Sequence, residues 1–138
     1  MYVKHIPLAP FAKARPRFSG HAYNDETYKQ KKRDFKMLFG YVPEYTIIKL
    51  TVIAIRPIPK STSKKKRAAM LGTYATPSPD ADNVWGAVMD SLWPRNDNIV
   101  VDGGCCKVWG NAAGMIIIIE EVGNAPALPA YIQEMIDG

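Results

Sequence analysis

The sequence predicts a single compact domain of the α/β class, of the α+β type, in which a small β-sheet is packed by short helices. A chain of 138 residues with 47% hydrophobic residues can bury one core and needs no second domain. Short segments rich in β-branched residues are interspersed with short amphipathic ones. We place the domain at residues 1–122, followed by a C-terminal tail at residues 123–138 with a short helical pattern.

The first half of the chain predicts two strands separated by a basic helix. Residues 1–8 alternate as a strand does, whereas the prolines of residues 10–18 exclude a regular helix there. Residues 25–38 predict a basic amphipathic helix that Gly40 ends. Residues 46–55 are rich in β-branched side chains, which favours a strand.

The second half predicts two short helices and three short strands. Residues 60–72 hold the densest positive charge and a short helix that Ser61 or Ser63 can cap. Residues 83–92 carry apolar side chains at helical spacing. The predicted strands are residues 99–101, 105–109 and 115–121, with turns at Gly103–Gly104 and Gly110–Asn111.

The charge balance indicates an anionic partner. Lys and Arg total 18 against 13 Asp and Glu, which gives a net charge of +5 and favours nucleic acid. The apolar runs are too short to span a bilayer and no signal peptide is recognisable, so we expect a cytoplasmic protein. Cys105 and Cys106 are adjacent, which predicts reduced, partly buried strand residues and no zinc site.

Three aspartates stand out against this positive background. Asp80 and Asp82 lie two residues apart in the segment PDADN, and Asp97 follows one predicted helix later. Carboxylates so close in sequence resist joint ionisation unless a cation neutralises them. Mg²⁺ needs only one or two carboxylates when substrate phosphates supply the remaining ligands. The alternative is structural, with Asp80 capping the loop and Asp82 or Asn83 capping the helix.

Several motifs together resemble the RusA family of Holliday junction resolvases. They are KARPRF at 13–18, PKS at 59–61 with the basic run to Arg67, PDADN at 79–83, MDSL at 89–92, NDNIV at 96–100 and KVWG at 107–110. The resemblance covers roughly residues 5–121, and the combination is far more specific than any single motif.

The resemblance implies a RusA-like subunit with a mixed sheet, acting as a homodimeric, Mg²⁺-dependent endodeoxyribonuclease in DNA recombination and repair. It implies paired symmetric nicks in four-way DNA junctions, with Mn²⁺ as a possible substitute, in a bacterial cell or a phage-infected host. The small size and basic character resemble those of resolvases that phages and prophages carry, which leads us to expect such an origin. The metal ligands would be Asp80, Asp82 and Asp97. The residues that would contact the DNA backbone are Lys13, Arg15, Arg17, Lys60, Lys64, Lys65, Lys66 and Arg67.

Two positions depart from the family pattern. Gly86 stands where relatives often have a lysine, and Lys107 is the leading substitute as a catalytic cation. Asn96 stands where relatives often have an acid. The alternative function is therefore a non-catalytic or weakly active protein that binds branched DNA on the nuclease scaffold. A preference for flaps or single strands would use the same acids.

Two further residues have a functional and a structural interpretation. Asp90 lies eight residues after Asp82 and would either support the metal site or be an ordinary surface acid. Trp85 would either stack on an unpaired base or belong to the core.

Overall fold

The computed structural model describes residues 1–13 and 23–138, in which four strands form one mixed sheet in the order β1-β4-β2-β3. The elements are β1 (Tyr2–Ile6), α1 (Tyr23–Phe39), β2 (Ile48–Pro57), α2 (Lys64–Met70), α3 (Ala81–Leu92), a 3₁₀ turn (Asp97–Ile99), β3 (Val100–Gly110), β4 (Gly114–Glu121) and α4 (Ala130–Asp137). This arrangement confirms the predicted α+β class, with the mixed sheet that the resemblance implied.

The core lies between the sheet and two helices, α1 and α3. Alternate residues of β2, from Ile48 to Ala54, are fully buried, as expected for a strand whose one face is covered. The buried aromatic residues Phe35 and Phe39 project from α1, and Val84 and Val88 project from α3. The two helices also contact each other, so α3 is held between α1 and the sheet.

The register of β2 and β3 defines the two ends of the sheet. The strands are parallel, with Ile48 paired with Val100 at one end and Ala54 paired with Lys107 toward the other. A crossover that contains α2 and α3 connects them, as parallel strands require. We call the end near Ala54 and Lys107 the carboxyl end, and the end near Ile48 and Val100 the amino end.

The helix α3 begins two residues earlier than predicted. Asp80 occupies the N-cap position but its side chain makes no capping hydrogen bond, and Asp82 lies within the first turn. The interpretation that Asp82 or Asn83 caps this helix is therefore wrong. The first turn is instead stabilised through the backbone, where Val84 N–H donates to the Asp80 carbonyl at 3.1 Å.

The prediction of two short strands at residues 99–101 and 105–109 is wrong, because β3 is one strand of 11 residues. The pair Gly103–Gly104 makes no turn, and both glycines pair with β2. The register shifts by one residue near Val100, so Val101 is bulged and 61% exposed. A glycine inside a strand marks such a bulge or a close backbone approach as often as a turn.

The remaining elements agree with the sequence. Ser63, and not Ser61, caps α2, since its Oγ accepts a hydrogen bond from Lys66 N–H at 3.3 Å. The tail contains the predicted short helix as α4. Cys105 and Cys106 are free and half-buried in β3, and burial raises the pKa of Cys105 to about 11. Each helix in the described part of the chain is too short or too polar to cross a bilayer.

Candidate functional site

Two of the three predicted metal ligands lie together at the start of α3. Asp80 precedes the helix, Asp82 belongs to its first turn, and both carboxylates are exposed. The amino end of a helix favours negative charge, because its unpaired N–H groups carry a partial positive charge. The same charge draws a phosphate toward this position. The pair is thus placed where carboxylates are stable and where a DNA strand can reach them.

Lys107 fixes the loop that leads into this pair. Its Nζ donates hydrogen bonds to the carbonyl oxygens of Thr76 at 3.2 Å and Pro77 at 3.0 Å. The loop is also bonded to the outer edge of β3, since Ala75 N–H donates to the Lys107 carbonyl at 3.0 Å. The ammonium group of Lys107 therefore binds the loop three residues before Asp80, at the carboxyl end of the sheet.

Asp97 lies near the opposite end of the sheet. It opens the 3₁₀ turn that enters β3 beside Val100, whose partner is Ile48 at the amino end. Lys107 lies seven positions after Val100 on β3, a distance of about 23 Å along a strand. Among the described residues, no three side chains of His, Cys, Asp or Glu lie together as a metal-binding group. The fold of one subunit therefore brings together the pair and leaves Asp97 apart.

The donor chemistry of the pair nevertheless suits a hard divalent cation. Carboxylate oxygens are the ligands that Mg²⁺ prefers, and two of them suffice when phosphate oxygens complete the coordination. The described part of the chain offers no competing cluster of soft ligands. Asp80 and Asp82 would hold the ion at the amino end of α3.

The position of Gly86 is covered by Lys13. The backbone N–H of Lys13 donates to the Asn83 carbonyl at 3.0 Å, which fixes the N-terminal segment on the first turn of α3. A Cβ at position 86 would lie 3.4 Å from Cδ of Lys13, so the lysine side chain runs across the helix at the glycine. The small residue thus makes room for a cation from another part of the chain, one helical turn after Asp82.

Asp90 joins α3 to α1 through a partly buried hydrogen-bond group. Tyr28 Oη donates to Asp90 Oδ2 at 2.8 Å, and Lys32 Nζ donates to the same oxygen at 3.0 Å. The Lys32 ammonium also lies 4.6 Å from the centre of the Tyr28 ring. Asp90 thus has a structural role that neither sequence interpretation described, because it ties two helices and holds Lys32 in place.

The titration of this group follows from its contacts. Burial by itself would raise the pKa of Asp90, but the hydrogen bonds from Lys32 and Tyr28 and the charges of Lys32 and Lys13 together hold it below the ordinary value. Burial and the bond to Asp90 raise the pKa of Tyr28, so this hydroxyl stays protonated and remains a donor.

The change Asp90→Asn is expected to destabilise the protein by about 1 kcal/mol at pH 7, since charged hydrogen bonds are lost although an amide oxygen can still accept. Because the pKa is lowered in the folded state, the carboxylate gives its full contribution to the free energy of unfolding above a pH of about 4, which is its ordinary pKa in the unfolded chain. This contribution is lost as the pH falls further. Urea unfolding at pH 7 and at about pH 3 measures the difference, with Asp137→Asn on α4 as control. A pH-independent difference would contradict this account.

The predicted DNA contacts divide into three groups. Lys60, Lys64, Lys65 and Lys66 are exposed around α2, near the carboxyl end of the sheet. Arg67 is half-buried, and its Nη2 donates to the Pro59 carbonyl at 3.2 Å, so it anchors α2. Lys13 crosses α3 at Gly86, whereas Arg15 and Arg17 lie outside the residues that the structure describes.

Trp85 and the basic residues of α1 also have defined positions in the structure. Trp85 is half-buried against the sheet, where its indole Nε1 donates to the Leu50 carbonyl at 2.9 Å, which agrees with the structural interpretation. The sequence predicts basic residues spread over the exposed faces of α1. Those at 29, 32, 33 and 36 instead line a single groove between α1 and α3, and their spacing of i, i+3, i+4 and i+7 could have shown this.

Comparison with known proteins agrees with these observations. No curated protein matches the chain. Among protein families, Endodeoxyribonuclease RusA matches residues 7–120 of the 138, a span that includes the aspartates, the α2 patch and Lys107. The chain therefore belongs to the RusA endodeoxyribonuclease family, enzymes that hydrolyse phosphodiester bonds in Holliday junctions.

Proposed function

We propose that this protein is a Mg²⁺-dependent Holliday junction resolvase that acts as a homodimer, makes paired symmetric nicks and serves DNA recombination and repair. The observation that carries the proposal is the placement of Asp80 and Asp82 at the amino end of α3, at the same sheet end as Lys107 and the exposed lysines of α2. Acids that suit a metal and cations that suit a DNA backbone thus adjoin one another.

Each group has a distinct role in this proposal. A bound Mg²⁺ would supply Lewis-acid activation of the scissile phosphate and of an attacking water. Asp80 and Asp82 hold that ion, and the lysines of α2 bind the backbone beside it without reading sequence. Lys107 keeps the 76–77 loop in place and directs its positive charge toward a phosphate at Asp80, where it stabilises charge that develops during cleavage.

A homodimer resolves the separation of Asp97 from the other two acids. β3 lies at one edge of the sheet, and residues 72–75 are bonded along its carboxyl half. A two-fold axis beside β3 and perpendicular to it makes the β3 strands of the two subunits antiparallel, which sets the amino end of one against the carboxyl end of the other. Asp97 of the partner subunit then approaches Asp80 and Asp82. In this arrangement each metal site takes ligands from both subunits.

Exposed apolar residues support an interface along this edge. Val101 is bulged and exposed four residues after Asp97, and Leu71 and Tyr74 are exposed on the segment that leads toward Asp80. A dimer with this axis brings Val101 of one subunit against Leu71 and Tyr74 of the other. Burial of such side chains is a usual source of interface stability. The two active sites would then face two opposed strands of a junction, which is itself approximately two-fold symmetric.

The test is cleavage of an end-labelled synthetic four-way junction, compared with matched duplex and single-stranded DNA, with Mg²⁺ and with EDTA. We expect paired nicks at symmetric positions in the junction only, abolished by EDTA and restored by Mg²⁺ or Mn²⁺. Sedimentation of the free protein should give the mass of a dimer. Tight junction binding without cleavage in either metal would contradict the proposal and favour the non-catalytic DNA-binding function.

A further inference from the structure

A groove between α1 and α3 concentrates positive charge away from the three aspartates. It is lined by Lys29, Lys32, Arg33 and Lys36 of α1 and, from the other side, by Asp90, Ser91 and Pro94, and it encloses about 320 Å³. We call it the α1 groove. Its volume and its open mouth suit a phosphate group with part of the attached sugar.

Contacts within the fold account for only part of the charge of the α1 groove, because Lys29 Nζ lies 3.6 Å from a carboxylate oxygen of Glu26 and Lys32 Nζ lies 3.0 Å from Asp90 Oδ2. The four cations occupy positions i, i+3, i+4 and i+7 of one helix, so two pairs of like charges stand four residues apart, an arrangement that destabilises a helix. Of the described residues that line the groove, Asp90 is the only acid, and it already accepts bonds from Tyr28 and Lys32, so no acid of the groove balances the charges of Arg33 and Lys36. The surplus positive charge therefore matches an anionic ligand.

The fold also holds one cation of the groove, Lys32, in place before a ligand binds. Lys32 is held between the Asp90 carboxylate and the Tyr28 ring, and its side chain is only 27% exposed. A side chain already ordered loses less conformational entropy when it binds a ligand. Arg33 is likewise directed by a hydrogen bond from its Nε to the Lys29 carbonyl at 3.3 Å.

The α1 groove lies along α3, the helix that carries Asp82 in its first turn. Pro94 lies three residues before Asp97, and Lys13 crosses α3 at Gly86, between the groove and Asp82. From Asp82 to Asp90 the helix rises about 12 Å. A DNA strand held at the aspartates can therefore follow α3 past Lys13 and reach the groove.

We propose that the α1 groove binds the sugar–phosphate backbone of a junction arm next to the cleaved phosphate, an inference that rests on the proposed function. The groove holds the backbone through charge and does not read bases. It acts on affinity and on the angle of the arm, and the chemistry of cleavage stays with the aspartates.

The test compares two double variants of equal net charge by junction binding in EDTA, so that no cleavage is needed. Arg33→Gln/Lys36→Gln changes the groove, and Lys4→Gln/Lys31→Gln removes two positive charges outside it. Binding is measured over a series of salt concentrations. We expect the groove variant to bind on the order of tenfold more weakly at about 0.1 M salt, with a log–log salt slope smaller by about 2. The control should keep the wild-type slope.

A second experiment places neutral methylphosphonate linkages in one junction arm, next to the cleavage position. They should weaken binding by the wild type and leave the groove variant nearly unaffected. Equal salt slopes for the groove and control variants would overturn the inference alone, whereas a wild type that does not bind junctions would overturn the proposed function as well. The groove variant loses like-charge pairs, so its melting temperature should not fall below that of the wild type. If it nevertheless unfolds, the single variant Lys36→Gln repeats the comparison.

Discussion

Replacing Asp82 with asparagine is expected to lower junction cleavage in Mg²⁺ by more than about 100-fold, while the fold and junction binding are retained. Loss of a group that only supports a metal ligand already reduces activity by about 10–100-fold, so loss of a ligand itself should have the larger effect. The side chain is exposed in the first turn of α3, so an isosteric amide should leave the core intact. Single-turnover cleavage of a labelled junction measures the effect.

Asp137→Asn is the matched control, because it makes the same chemical change on an exposed residue of α4. It should cleave at the wild-type rate. Circular dichroism and junction binding in EDTA show whether the Asp82 variant is folded and still binds DNA. Near-normal cleavage by folded Asp82→Asn would remove this residue from the metal site and return it to a purely structural role at the start of α3.

Mixed dimers extend this prediction to the sharing of sites between subunits. In a heterodimer of Asp82→Asn and Asp97→Asn, a shared arrangement leaves one site with all three aspartates, whereas sites built within one subunit would both be defective. We therefore expect the tagged, purified heterodimer to make single nicks at about half the wild-type rate per dimer. The heterodimer of Asp80→Asn and Asp82→Asn is the control, and it should be inactive in both arrangements.

The sequence predicted the class of the fold and the order of most elements because these depend on local patterns. The β-branched run in β2, the helical spacing in α3 and the serine before α2 each encode their structure within a few residues. The position of a residue relative to distant segments of the chain is not encoded in such local patterns. The family resemblance implied that Asp80, Asp82 and Asp97 share one metal site, but the parallel register of β2 and β3 puts Asp97 near the amino end of the sheet.

The substitution of a glycine for a family lysine shows the same limit. From the sequence, Gly86 pointed to a missing cation with Lys107 as its substitute. The structure shows Lys13, 73 positions earlier in the chain, packed across that glycine, and Lys107 bonded to the loop before Asp80. Such a contact depends on where the N-terminal segment crosses α3, and no local pattern contains that information.

Gly103→Ala is expected to destabilise the protein by about 3–5 kcal/mol, which approaches the whole stability of many domains. Gly103 has a φ of +117°, a region that side chains other than glycine rarely adopt. A Cβ there would lie 1.7 Å from the Leu50 carbonyl oxygen, its partner on β2. The clash is with backbone, so it can be relieved only by separating the two strands. Urea or thermal unfolding measures the loss.

Gly104→Ala provides a control at the next residue of the same strand. A Cβ at Gly104 meets nothing within 4 Å, and its φ is not positive, so we expect a change within about 0.5 kcal/mol of the wild type. The contrast also bears on function, because β3 carries Asp97 at one end and Lys107 at the other. If Gly103→Ala still folds, displacement of β3 should reduce cleavage while Gly104→Ala cleaves normally. Equal stability of the two variants would contradict the close approach of β3 to Leu50.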